Sequence, residues 1–307
     1  MNNDCSYCPL RQDSDIRRCS LDAQEIVRVF LDYVNKRKVM GMFLSSGLIG
    51  SADNTMEQLN RVARILRSRE KYRGYIHLKV IPGASDAAIE EAVSLSSAVS
   101  LNIETPGADK LAKLSSKKDY LRDIIEPMKL ISRLTAKGTK YHRVKQTTQF
   151  IVGAAGESDN EIVKYMGGLY DRLRLQRIYF SAYQNGDADE LVKSASGEEV
   201  FLREHRLYQV DFLMRRYGFK AGEIEFGQGE NLSLQSDPKQ VWAQNHPERF
   251  PIDANSAGYY ELLRVPGLGP VTVKRILQRR KRGRLTGIED ISKAGVRLQK
   301  ARKYLTF

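Results

Sequence analysis

The stretch from residue 39 to residue 72 reads VMGMFLSSGLIGSADNTMEQLNRVARILRSREKY. Its first nine residues are mostly apolar and end in small residues, a pattern typical of a buried parallel strand and its exit turn. From Thr55, which we expect to cap a helix, apolar residues recur at helical spacing, at Met56, Leu59, Val62, Ala63 and Leu66. The stretch therefore predicts one β-strand followed by one α-helix.

The same order recurs four times further along the chain. Strands are predicted at 75–82, 98–105, 147–154 and 177–184, and helices follow from Ser85, over 106–116 and 119–137, from Ser158, and over 202–218. Five such units in a row predict a parallel sheet with right-handed crossovers. The sheet is either doubly wound or part of a (β/α) barrel, and the pattern alone does not decide between these two folds.

Composition excludes several broad classes of protein. The 307 residues are 41% hydrophobic and 28% charged, which is ordinary for a globular protein and excludes disorder and collagen-like repeats. No apolar run approaches the roughly 18 residues of a membrane span. The polar start MNNDC lacks the basic-then-apolar layout of a secretory signal. We therefore expect a cytoplasmic protein without a membrane partner.

Positive charge is concentrated near the C-terminus. The chain has a net charge of +13, and residues 264–303 contain 13 basic and two acidic residues, a net charge of +11. A solvated surface usually mixes both signs. A nearly neutral body with one strongly basic end predicts a module that binds a polyanion.

Two short helices, at 256–264 and 271–282, flank the turn VPGLGP (265–270) within this basic segment. Glycines let the main chain approach another surface closely, and the N-terminus of a helix attracts anions. The segment resembles a helix-hairpin-helix module, which binds the sugar-phosphate backbone of DNA without reading sequence. The alternatives are an ordinary helical hairpin and an RNA-binding module. The expected DNA contacts are Gly267, Leu268, Gly269, Val271, Lys274, Arg275 and Arg279. A degenerate second copy is expected over 288–305, with its turn at 294–296.

Three cysteines lie near the N-terminus, at positions 5, 8 and 19. In a cytoplasmic protein they do not form a disulfide framework. Taken alone, Cys5 and Cys8 are half of a zinc site, a redox pair or part of an iron–sulfur site. The four histidines, His77, His142, His205 and His246, show no ligand spacing.

The fragment DCSYCP (4–9), followed by successive βα units, resembles the radical S-adenosylmethionine enzymes. Their C-x3-C-x2-C motif holds a [4Fe–4S] cluster, leaving one iron free for S-adenosylmethionine. The resemblance implies that Cys5 and Cys8 are cluster ligands and that Tyr7 is the aromatic residue before the last cysteine. Met1 stands where the family has its first cysteine. A truncated or mis-assigned start, a copy that has lost its cluster, and recruitment of Cys19 compete as explanations, and we favour the first. Cys19 itself is expected at the start of a helix.

Further cofactor contacts follow from this resemblance alone. Ser45, Ser46 and Gly47 occupy the place of the motif that contacts the amino group of S-adenosylmethionine, without its usual acidic residue. Asn102 and Glu104 are expected at the ribose or the methionine carboxylate. The remaining contacts that the resemblance implies are Gly153 and Glu157, in a partial adenine motif at 150–157, and Tyr183.

The whole chain resembles DNA modification and repair proteins of this superfamily that carry a C-terminal helix-hairpin-helix. The resemblance implies an α/β fold, a partial (β/α) TIM-like barrel over 1–220, a connecting segment over 221–250 and an all-α DNA-binding domain over 251–307. It implies cleavage of S-adenosylmethionine to a 5′-deoxyadenosyl radical, although no catalytic residue is predicted. Expected partners are duplex DNA, an electron donor and a second protein of DNA metabolism. The alternative is a non-catalytic nucleic-acid-binding protein with a relic barrel.

Overall fold

The computed structural model describes residues 2–184, 197–291 and 295–307. These residues form two compact units. The first, here called the barrel unit, comprises the chain up to Glu157 and Tyr165–Val200. The second, the hairpin unit, comprises Ser158–Lys164 and Phe201–Phe307. The boundaries of the domains inferred from the sequence, at residues 220 and 250, remain a prediction.

Five parallel strands form the sheet of the barrel unit. They are β1 (Gly41–Leu44), β2 (Tyr75–Lys79), β3 (Ala98–Ser100), β4 (Lys145–Val152) and β5 (Arg177–Ala182), and each pairs with the next along the chain. A doubly wound sheet reverses its strand order at a switch point. The sequential order instead is that of a half-barrel, so the prediction of a partial barrel is confirmed.

One helix precedes β1, and further helices follow the strands as the sequence predicts. They are α1 (Ala23–Asn35), α2 (Ala52–Arg64), α3 (Asp86–Leu95), α4 (Ala108–Leu114), α5 (Glu126–Leu134), α6 (Asp159–Leu173) and α7 (Gly197–Tyr217). A π-helical turn extends α2, and another precedes α5. On one face of the sheet, fully buried side chains come from all but the first strand: Ile76, Leu78, Val99, Phe150 and Ile178. Alternate residues point to the opposite, inner face.

Two helix starts differ from the predictions. Thr55 does not cap a helix, because α2 begins earlier and Ser51 Oγ accepts the N–H of Asn54. Thr55 is buried within α2, and its hydroxyl bonds to the carbonyl of Ser51. The first turn of α2 is polar, so the spacing of apolar residues does not indicate where the helix begins. Cys19 was expected at a helix start, but α1 begins at Ala23, where Asp22 and Glu25 form a reciprocal capping box.

The hairpin unit has its own apolar core. Its short helices are α8 (Pro238–Asn245), α9 (Tyr259–Arg264), α10 (Pro270–Arg279) and α11 (Val296–Arg302), and β6 (Ile252–Asp253) pairs in parallel with β7 (Leu305–Thr306). The core contains Leu262, Leu263, Leu268, Val273 and Ile276, all fully or almost fully buried. In the parts of the chain that the structure describes, no helix combines the length and hydrophobicity of a membrane span.

Candidate cofactor site and basic hairpin

The cysteine loop, residues 4–8, is pinned to the segment after α4. The carboxylate of Asp4 accepts hydrogen bonds from Ser115 Oγ at 2.6 Å, from Ser116 Oγ at 2.6 Å and from the Ser116 N–H at 3.0 Å. Within the loop, the Cys8 N–H donates to the carbonyl of Cys5 at 2.9 Å. This turn leaves Cys5 buried and Cys8 half-buried.

A cavity of about 350 Å³ lies between this loop and the carboxyl ends of the strands. The structure brings eight of the expected site residues together in its lining: Cys5, Tyr7, Cys8, Ser45, Ser46, Gly47, Asn102 and Glu104. The carboxyl ends of parallel strands are where (β/α) barrels build their sites. The geometry therefore makes one site from residues that are up to a hundred positions apart.

Three other expected cofactor residues are not part of that lining. The carboxylate of Glu157 accepts hydrogen bonds from the N–H groups of Gly153 and Ala155, which closes the loop after β4. The N–H of Tyr183 donates to the carbonyl of Val152 at 2.9 Å, beyond the end of β5. Glu157 thus has a structural role in its own loop, and the expected contacts of these residues with the adenine remain a prediction.

Glu104 is held in an uncommon backbone conformation. Its φ is +65°, in the left-handed region, which costs a residue other than glycine about 1 kcal/mol or more. Two hydrogen bonds to β4 fix it there: its N–H donates to the carbonyl of Gln149 at 3.0 Å, and its carbonyl accepts the N–H of Ile151 at 2.7 Å. These bonds place an almost fully buried carboxylate at the cavity.

Lys118 is a member of the site that sequence reasoning missed. Its Nζ donates to Tyr7 Oη at 3.1 Å and lies 4.0 Å from Glu104 Oε1. Burial opposes the charged ammonium, but the nearby Glu104 and Cys5 outweigh burial and raise the pKa of Lys118. Burial and the same two neighbours raise the pKa of Tyr7 far above its usual value, so Tyr7 stays protonated. A cation and a carboxylate therefore face the same cavity.

The thiols in the described ranges fit a cluster only in part. Cys5 and Cys8 supply two sulfur ligands, whereas three are needed to leave one iron free. Cys19 is exposed and does not line the cavity, and Met1 lies outside the described residues. Among the described residues, no three His, Cys, Asp or Glu side chains are grouped so as to hold a metal ion. The described donor set does not complete the three-thiolate arrangement.

Comparison with known proteins identifies the family. Residues 2–167, slightly more than half of the chain, match the model of the radical SAM superfamily, so the chain belongs to that superfamily. Its members generally use a [4Fe–4S] cluster and S-adenosylmethionine.

Comparison with solved structures shows a shared fold. The chain is similar to HydG, a maturase of the [FeFe]-hydrogenase, with a TM-score of 0.53 and 11% sequence identity. The match covers 69% of this chain and 46% of HydG, so the chain spans less than half of that protein's length. At this identity the likeness shows the fold alone. No curated protein matches the chain.

The turn between α9 and α10 is built as the sequence suggests. Gly267 has a φ of +88°, which favours glycine, and Gly269 and Pro270 begin α10. A buried lysine outside the turn fixes it: Lys239 Nζ donates to the carbonyls of Leu263 at 2.8 Å and Leu268 at 2.6 Å. No motif marks Lys239 in the sequence, because its partners are carbonyls more than twenty residues away.

The residues expected to contact DNA fall into two groups. The side chains of Val271, Lys274, Arg275 and Arg279 are exposed, and Val271 is 73% exposed despite being apolar. Leu268 is buried, so only its main chain is available to a ligand, while Gly267 and Gly269 are half-buried. Arg279 also donates to the carbonyl of Asp290. In the expected second hairpin, Ala294 lies outside the described residues and Gly295 caps α11.

Replacing Asp4 by alanine should expose the cysteine loop. The three hydrogen bonds of Asp4 are lost, while the bond from the Ser6 N–H to the carbonyl of Leu114 remains. At about 1 kcal/mol for a typical bond, the loop opens several-fold to about a hundredfold more often. Alkylation of Cys5, followed by mass spectrometry in native buffer, should accelerate accordingly. Asp32→Ala, which removes an exposed partner of Lys36 on α1, is the matched control. An unchanged rate at Cys5 in the Asp4 variant would show that the loop is held by other contacts.

Lys239 should make the stability of the hairpin unit depend on pH. Burial lowers its pKa to about 7, whereas a lysine in the unfolded chain stays protonated to about 10.5. The unfolded state therefore binds more protons between these pH values, and the free energy of unfolding rises as pH increases through this window. Urea unfolding followed by the fluorescence of Trp242, the chain's single tryptophan, measures this rise.

The Lys239→Met variant should lose that rise in stability above pH 7. Lys274→Met, which changes an exposed lysine on α10, should keep it. Equal slopes in wild type and the Lys239 variant would contradict a buried lysine with a lowered pKa.

Proposed function

We propose that this protein is a radical SAM enzyme that acts in the modification or repair of DNA. In this proposal the barrel unit binds S-adenosylmethionine and the hairpin unit binds the DNA backbone without reading sequence. The main observation in its support is that the cysteine loop and the carboxyl ends of β1 and β3 line one cavity, in a chain that belongs to this superfamily.

The polar groups of the cavity support S-adenosylmethionine as the ligand. Its methionine part bears one amino and one carboxylate group. Lys118 offers a cation and Glu104 an anion in a buried setting, where charge-assisted hydrogen bonds are strong. Tyr7 adds an aromatic face beside Lys118. The proposed reaction class is reductive cleavage to a 5′-deoxyadenosyl radical, which requires an electron donor and a third thiolate besides Cys5 and Cys8.

The basic hairpin supports DNA as the polyanion. Lys274 and Arg275 are exposed one turn into α10, whose first-turn N–H groups follow the glycine turn. A charged side chain near such a helix start attracts phosphate whatever the base sequence. We propose that Lys239 acts as a positioning residue, because it fixes the carbonyls of the turn from within the unit.

A second candidate function is non-catalytic binding of nucleic acid. The observation in its favour is the incomplete thiolate set of the described residues. In that case the barrel would be a relic, and the hairpin would keep its affinity for DNA or for structured RNA. The first experiment below separates these two candidates, and the second tests the DNA contacts that both of them share.

Completing the motif should restore cluster binding. A Met1→Cys variant, made behind an added initiator methionine and reconstituted anaerobically with iron and sulfide, should hold about four irons per chain. With S-adenosylmethionine and a reductant it should form 5′-deoxyadenosine. Adding Cys5→Ala should abolish both signals, whereas Cys19→Ser should leave them intact. A Met1→Cys protein that forms no 5′-deoxyadenosine would favour the non-catalytic candidate.

Binding of duplex DNA should be electrostatic and insensitive to sequence. We expect the affinity to fall linearly on a log–log plot against salt concentration. The double variant Lys274→Ala and Arg275→Ala should lower the salt slope by about two, one for each lost phosphate contact. Lys36→Ala, at the exposed residue that follows α1, is the control. Competition with structured RNA over the same salt series identifies the preferred polyanion, and an unchanged slope would contradict the assigned contacts.

A further inference from the structure

The inner face of the half-barrel contains a second cavity beside the cofactor cavity. It has a volume of about 230 Å³, below the roughly 300–1,000 Å³ of pockets for drug-sized ligands. The two cavities share Lys79, Asn102 and Gln149 as lining residues. A small ligand in the second cavity would therefore lie next to whatever occupies the first.

Strand register builds this cavity from inward-pointing side chains. Phe43 on β1 is the register partner of His77 on β2, and Ser100 on β3 is the partner of Thr147 on β4. Gln149 on β4 is in turn the partner of Tyr179 on β5. All five strands contribute, so the cavity is a feature of the sheet itself.

Two polar groups in the lining lack a partner among the described residues. His77 is 9% exposed and Thr147 is 6% exposed, yet His77 Nε2 and Thr147 Oγ1 make no hydrogen bond there. Buried polar groups are nearly always satisfied, so each unpaired group that faces a cavity needs an occupant of that cavity, a ligand or an ordered water, to pair with it. Burial also lowers the pKa of His77 to about 4, so at neutral pH the ring offers one donor and one acceptor.

Aromatic rings complete the lining. The ring of Phe43 is 59% exposed and meets the His77 ring edge-to-face at 4.7 Å. Tyr179 is 38% exposed, with the guanidinium of Arg177 5.0 Å from its ring centre. The amide side chains of Asn102 and Gln149 add paired donors and acceptors, and Lys79 adds a cation to the lining. The flat aromatic rings and the neutral hydrogen-bonding groups of this lining suit a planar heterocycle as the ligand.

We propose that this cavity binds a single nucleobase, extruded from duplex DNA. Its edge pairs with His77, Thr147 and Gln149, and its faces pack against Phe43 and Tyr179. Enzymes that act on a base within a duplex take it out of the stack, because the target atom is otherwise out of reach. The inference rests on the proposed action on DNA and adds the substrate class, a base rather than a sugar or phosphate group.

A duplex with one unpaired base tests this assignment on the full chain. The probes are a matched duplex and the same duplex with a single bulged 5-iodouracil. We expect the wild type to bind the bulged duplex about 5- to 100-fold more tightly, the range of one base stacked on aromatic rings. Irradiation should cross-link the bulged base to the peptide that contains Phe43 or Tyr179.

Variants locate the effect in the cavity. Phe43→Ala, at an exposed ring, and Thr147→Val, which removes one hydroxyl at constant shape, should each reduce the preference for the bulge toward one. Both should keep the affinity for the matched duplex. Lys274→Ala should instead weaken binding to both duplexes by the same factor.

The outcomes separate the cavity from the DNA proposal. Tight DNA binding without a preference for the bulge, or cross-links confined to the hairpin unit, would overturn the base cavity and leave DNA binding intact. No binding to either duplex would overturn the proposed action on DNA. In that case, calorimetry compares the binding of free thymidine to the wild type and to Phe43→Ala, and so tests whether the cavity binds a base from solution. Binding heats that are equal in the two proteins, or absent from both, would overturn the cavity as a site for a base.

Discussion

The parallel pairing of five strands in chain order is the constraint on which the barrel unit depends. Each strand runs beside its successor, so every loop that leaves a strand emerges at one edge of the sheet. Ser46 and Glu104 line the same cavity for this reason. The cysteine loop precedes β1 and is held at this cavity by the hydrogen bonds of Asp4 to Ser115 and Ser116. A slip of one residue in the pairing of any two strands would move the buried side chains to the opposite face of the sheet, because side chains alternate along a strand.

The contacts around Glu104 show how the strand register places a charged side chain at the cavity. Hydrogen bonds on both sides of the residue attach it to β4 and hold a left-handed conformation that it would not adopt alone. Its carboxylate then stands near Lys118, which reaches Tyr7 in the cysteine loop. The strand pairing at β4, the left-handed backbone of Glu104 and its ion pair with Lys118 are therefore all found at the cavity that Cys5 and Cys8 line.

Sequence patterns predicted the repeated elements well because the periodicity of apolar residues records which face is buried. From β1 to α7 the order of strands and helices agrees with the prediction, as do the helix start near Ser85 and the glycine turn before α10. The short strand pair of β6 and β7 was not predicted, because the segment 251–307 was expected to be all-α. The helix start at Ser51 was missed because a polar first turn carries no apolar signal. The half-barrel was chosen over a doubly wound sheet by resemblance, since strand order is a property of pairing between distant segments.

Lys118 and Lys239 could not be predicted for a different reason. Each is an ordinary lysine in the sequence, and its role comes from partners that folding brings near: Tyr7 for Lys118, and two main-chain carbonyls for Lys239. Glu157 shows the converse. It matched a cofactor motif in the sequence, but in the structure its carboxylate accepts hydrogen bonds from its own loop.

The proposed binding of S-adenosylmethionine under the cysteine loop depends on the charges of Glu104 and Lys118. Calorimetry of S-adenosylmethionine with wild type and with Glu104→Gln, a variant of nearly the same shape, tests it most directly. We expect one molecule bound per wild-type chain and an affinity at least about tenfold lower in the variant, since a hydrogen bond to a charged group contributes about 1.5–3 kcal/mol. No binding to the wild type, or equal affinity in both proteins, would contradict it.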